Sequence, residues 1–135
     1  MRTLLFYFMT FIANTLFSQN PYTPEKGSTD RKEILDIFRE DFEEKDKILF
    51  KVDHFLIASN WACANVIPLE NNKEIAEPRW DLFTKVGGKW KSVDWAKDIN
   101  IHNDFELIDL PNQKGRIAKL IVKSYPTCPI TIFGK

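Results

Sequence analysis

The spacing of apolar residues changes character along the chain and marks out its elements. Ile34, Leu35, Phe38 and Phe42 recur at helical spacing, with Ile37 at the margin of the stripe. Ser28 or Asp30 starts this helix, and Asp30 with Glu33 fits a capping box. Its opposite face carries Arg39, Glu40, Glu43 and Glu44, which reads as a solvated helix face or an acidic docking surface. From Ile48 the period drops to two. Residues 48–58 read as a strand, Ser59-Asn60 as a turn and residues 61–69 as the partner strand, with paired residue numbers summing to 119. In that register Phe50, Val52, His54, Leu56 and Ala58 share a face with Trp61, Cys63, Asn65, Ile67 and Leu69. The other face also holds Phe55, Ile57, Ala62, Ala64 and Val66, so either side suits a covering helix.

After a polar loop from Asn71 to Pro78, a second hairpin joins residues 79–86 to residues 89–95 through Gly87-Gly88, whose glycines accept the positive φ of a type I′ turn. Pairs now sum to 175. Trp80 faces Trp95 and Leu82 faces Val93, while Phe83 and Trp90 are diagonal neighbours on the other side. Residues 96–112 read as irregular, with a short strand near Phe105–Ile108. A shorter helix follows over Asn112–Ser124, with Ile117, Leu120 and Ile121 on one side, and Ile130–Phe133 makes an apolar tail. The expected fold is α+β: an antiparallel sheet of about four strands in two hairpins, packed in two layers by an N-terminal helix and a shorter C-terminal helix.

The N-terminus departs from these patterns. Arg2 precedes an uncharged apolar run from Thr3 to Phe17, and Ser18 offers a small residue for cleavage. This order predicts a secretory signal peptide over residues 1–18. The run is short of the ~20 apolar residues of a membrane span. The expected domains are therefore a signal peptide at 1–18, an extended Pro-punctuated leader at 19–27 and one α+β domain at 28–135. The product would be exported, periplasmic or extracellular, with no membrane span in its mature form.

Removing residues 1–18 leaves 18 basic against 19 acidic residues, a net charge of −1. That balance gives no electrostatic reason to bind nucleic acid. Cys63 and Cys128 are the only cysteines. In an oxidising compartment a bridge between them would close a long loop and add ~4 kcal/mol in the chain-entropy model; two buried thiols are the alternative.

Several short patterns occur together: Pro24-x-x-Gly27-Ser28-x-x-Arg31-Lys32-x-Ile34-Leu35-Asp36, then Phe50-x-Val52, Trp61-Ala62, Gly87-Gly88-Lys89-Trp90 and Pro129-x-x-Ile132-Phe133. In these the chain resembles a group of small, exported, functionally uncharacterised bacterial proteins and, more distantly, the cystatin-like and ketosteroid-isomerase-like α+β folds. The resemblance implies a bacterial envelope protein, and its wider fold hosts enzymes, ligand binders and interaction modules alike.

Five residues stand out as candidate binding groups. His54 lies opposite Asn65 on an otherwise apolar face, an arrangement that suits a ligand-orienting or general-base pair, or two polar groups that satisfy each other. Phe83 and Trp90 form an open aromatic floor if the segment 96–133 leaves them uncovered. Arg31 falls on or beside the helix stripe, where it would anchor a carboxylate or pair with a surface acid. His102, beside Asn103 and Asp104, reads as a loop residue. The cysteines and histidines lack metal-ligand spacing, no cofactor motif is present, and no catalytic set converges. These features lead to a non-catalytic binding or interaction module whose partner is a protein or small ligand. The competing reading is a cone-shaped α+β enzyme or ligand binder with a pocket around His54 and Asn65.

Overall fold

A computed structural model describes residues 20–101 and 108–135. The expected signal segment, His102 and all but the last residue of the strand expected near Phe105–Ile108 lie outside them. Among the described residues no helix is long and apolar enough to cross a membrane.

Helix α1 (Thr29–Arg39) leads into a ten-residue hairpin, β1 (Leu49–Ala58) and β2 (Trp61–Glu70). A two-residue strand β3 (Lys73–Glu74) turns back on the end of β2, and β4 (Arg79–Val86) and β5 (Lys89–Ser92) form the second hairpin. Helices α2 (Trp95–Ile99) and α3 (Arg116–Ser124) follow, and 3-10 turns span Lys45–Lys47 before β1 and Ile130–Ile132 near the chain end. The architecture is α+β on an antiparallel sheet ordered β1-β2-β4-β5, with β3 beside β2. Strand β3 arises inside the expected polar loop because Asn71 and Asn72 adopt positive φ (51° and 61°), a conformation asparagine tolerates in tight turns.

The second hairpin keeps the expected register, from Val86↔Lys89 to Phe83↔Ser92, around Gly87 (φ 59°) and Gly88 (φ 78°). The first keeps its register from Ala58↔Trp61 back to His54↔Asn65, then shifts by one residue at Asp53, so that Val52 pairs with Val66 and Leu49 with Leu69. This bulge transfers Phe50 and Val52 to the face opposite His54, correcting the single face expected for them.

The helices cover both sides of the sheet, so the domain has three layers rather than two. On one side Ile34 and Phe38 of α1 pack over Phe55, Ile57, Ala62, Ala64, Val66 and Phe83. On the other, α2, α3 and the chain end bring Trp95, Ala118, Ile121, Ile132 and Phe133 against Ala58, Trp61, Cys63 and Leu82. Trp80 stacks on Trp95 with ring centroids 4.4 Å apart. The leader is extended and held: Tyr22 exchanges two backbone hydrogen bonds with Ile57, of 2.9 and 2.8 Å, along the edge of β1.

Three local expectations change. Ser28 is the N-cap of α1 and accepts from the Arg31 amide at 3.3 Å. Asp30 and Glu33 form no box with each other; both reach across to β5. α1 ends at Arg39, so Glu40, Glu43 and Glu44 lie in the connection after it and not on its solvated face. α3 begins at Arg116 instead of Asn112, because Asn112 spends its side-chain oxygen on the Lys114 amide in a turn (2.8 Å).

Candidate functional site

His54 sits at the bulge, and its Nε2 lies 2.7 Å from the carbonyl oxygen of Ile132. A carbonyl only accepts, so this nitrogen carries the proton and donates it. The ring is not paired with Asn65; it pins the 3-10 turn of the chain end to β1. The residues are cross-strand partners as expected, yet the hydrogen bond of His54 goes to a residue 78 positions away. No local pattern announces it.

Arg31, Phe83 and Trp90 also have structural partners. Arg31 donates from Nη1 to the Pro24 carbonyl at 3.0 Å, and its guanidinium lies over the Phe55 ring, 5.6 Å from the centroid. It ties the leader to α1. Phe83 and Trp90 do not form an open floor: they are 0% and 5% exposed, and α1 rather than the segment 96–133 covers them. The Trp90 indole donates to Asp30 (2.8 Å) and its backbone amide donates to Glu33 (2.8 Å), so one residue clamps β5 to the helix through two carboxylates. Lys85 adds an ion pair to Asp30 at 3.0 Å. The Trp90 hydrogen bond, with Lys85 beside it, holds the Asp30 carboxyl below the usual carboxylate range despite some burial.

Cys63 and Cys128 are both buried in the core under α3 and are free thiols, so the possible staple is not formed. Burial pushes the Cys128 thiol up to about 12. It also raises Cys63 well above its ordinary value, reinforced by the nearby Cys128 and Asp81. Both therefore act as small apolar side chains and not as nucleophiles. Among the described residues no group of three His, Cys, Asp or Glu is placed to hold a metal ion.

Nothing in the local sequence singles out Asp81, which sits in β4 between Trp80 and Leu82. Its carboxylate accepts from the Ser92 hydroxyl at 2.5 Å and the Leu82 amide at 2.8 Å. Burial raises its pKa, against the opposing pull of those two donors and Arg79. The pair bridges β4 and β5.

Among the described residues one region remains open. Ile67 and Leu69, both half-buried, continue the face of β2 that carries Trp61, Cys63 and Asn65. The described part of the C-terminal layer reaches no further than Asn65, where Ile108, Asp109 and Leu110 approach it. A nine-residue helix is only ~14 Å long at 1.5 Å per residue, whereas a ten-residue strand spans ~33 Å, so α3 can cover one end of the hairpin only. Beyond the bulge Leu49 stands opposite Leu69 and is 56% exposed. Leu69 pairs with Glu74 of β3, so Ile75, whose amide bonds to Pro68 and which is 42% exposed, falls on the α1 side, while Ile108 beside the open face is 59% exposed. Asn65, Glu77, Pro78, Ile108, Asp109 and Leu110 line a groove of about 410 Å³ at the inner limit of this face. Among the described residues the Asn65 amide has no hydrogen-bond partner. The structure thus brings Asn65 together with apolar residues that the sequence placed on its face, and separates it from Arg31, Phe83 and Trp90. No family model, curated protein or solved structure matches the chain, so the reading of this face rests on its own geometry.

Proposed function

We propose that this chain is an exported, non-catalytic binding module that recognises a protein partner with the open end of its sheet: Leu49, Ile67 and Leu69, bordered by Asn65. The observation that carries the reading is the run of half-buried and exposed apolar side chains there. Ile67 and Leu69 are half-buried beside Leu49, which is exposed, and the exposed Ile108 lines the adjoining groove. The Lys51–Glu74 ion pair lies within the same face and Glu77 borders it, so polar groups are interspersed with the apolar ones as on many recognition surfaces. The His54 ring is tied at Nε2 to the Ile132 carbonyl and so anchors the chain end beside this face. Export follows from the charge, apolar-run and small-residue order of residues 1–18.

A photoreactive side chain placed at Leu49 in producing cells should yield one adduct of discrete mass on the mature chain. The same group at Lys91, on the far edge of the sheet, should yield none. Absence of any adduct at Leu49, or equal adducts at both positions, contradicts the reading.

A further inference from the structure

The near-neutral net charge conceals a strong segregation. All 19 acidic residues precede Asn112, whereas residues 112–135 hold five basic residues and no acid. Such an asymmetry between parts of one chain is a signature of polyanion contact. Folding sharpens it. Lys114, Arg116, Lys119 and Lys123 are all exposed, and the last three recur three and four residues apart along one side of α3. They form a cationic row about 10 Å long at 1.5 Å per residue. Among the described residues no ion pair reaches Lys114, Lys119 or Lys123. Asp98 accepts from the Tyr125 hydroxyl beyond the end of α3, and Asp109 lines a groove with Arg116.

We propose that the outer face of α3 docks a linear, phosphate-bearing polyanion. A straight row of point charges fits a chain of anions running along the helix. A bilayer fits less well, because the apolar side of α3 (Ile117, Ala118, Ile121 and Val122) is committed to the core and leaves no wedge to enter lipid. This surface is separate from the open end of the sheet and does not depend on it.

The test uses the mature chain with long-chain polyphosphate as probe, at low and at physiological salt. Binding should weaken as salt rises. Lys114→Gln/Lys119→Gln/Lys123→Gln should lose affinity by at least about tenfold and flatten the salt dependence by roughly two units of log–log slope. Lys26→Gln/Lys45→Gln/Lys91→Gln, which removes the same charge elsewhere, should lose far less. Arginine at the three α3 positions should retain binding. Equal losses in the two glutamine variants overturn the proposal, as does no binding at low salt. A preference for phosphatidylglycerol vesicles over polyphosphate overturns it too.

Discussion

Next to the Ser59–Asn60 turn, Ala58, Ala62, Cys63 and Ala64 are sealed from both sides, whereas at the other end of the same hairpin Leu49 stands 56% exposed. The two ends are made of similar residues and continuous strands. What differs is the cover. α1 and Phe50 close one face along much of its length, but among the described residues the C-terminal layer covers the other only from Trp61 to Asn65 and the His54–Ile132 contact. Burial at the turn end is where the fold is held together, and exposure at the open end is where binding has a surface to use. A substitution should therefore separate into one of two phenotypes according to the end it falls on.

The largest effect belongs to the sealed end. Phe133 is fully buried under α3. Phe133→Ala should cost ~3–5 kcal/mol of unfolding free energy, measured by denaturant titration. A loss under ~1 kcal/mol would mean that the chain end does not seal this core. His54 marks the boundary between the two ends. His54→Ala should cost ~1–3 kcal/mol by leaving the Ile132 carbonyl unpaired in a half-buried site. A neutral change in stability accompanied by lost partner binding would instead move His54 to the recognition side of the comparison.

A smaller effect is expected in the pH profile. Asp81 is held above its ordinary value in the fold, so the folded chain keeps a proton that the unfolded chain has released. Its contribution to stability must then fall as pH rises from near 3.8 through its folded value. Asp81→Asn keeps the hydrogen-bonding shape toward Ser92 and Leu82 and should remove that decline, which thermal melts across the acid range would detect. Asp30 and Asp36 run the other way. Their carboxyls are lowered, chiefly by hydrogen bonds from Trp90 and Lys32 respectively, and the stability they contribute is present above pH 3.8 and lost as pH falls through their folded values. An Asp81→Asn profile identical to the parent would contradict the assigned burial.

Much of this arrangement is written in local pattern. The Gly87-Gly88 turn sets the second register, so the approach of Trp80 to Trp95 and of Leu82 to Val93 follows from counting outward from the two glycines. The same holds for the pairing of His54 with Asn65 about the Ser59–Asn60 turn. The bulge at Asp53 cannot be read, because strand alternation on either side of it is intact and only the sum of residue numbers changes. One inserted residue nonetheless moves Phe50 and Val52 to the α1 face and leaves Leu49 on the open one. The partner of His54 is hidden for another reason: it is a backbone carbonyl, which has no sequence signature. Phe83 and Trp90 are legible as a pair, but their cover by α1 depends on Asp30 and Glu33 reaching across to β5. Those two acids look like a helix cap when the helix is read alone.

The separation of stability from recognition is tested most directly by Leu49→Asp, with its thermal unfolding and its photo-crosslinking both measured, the latter through a photoreactive group at neighbouring Lys51. The exposed side chain makes little contribution to the fold, so unfolding free energy should stay within ~0.5 kcal/mol of the parent. The adduct should be lost. An adduct that persists, or a loss of stability above ~2 kcal/mol, would contradict the assignment of this end of the sheet to binding.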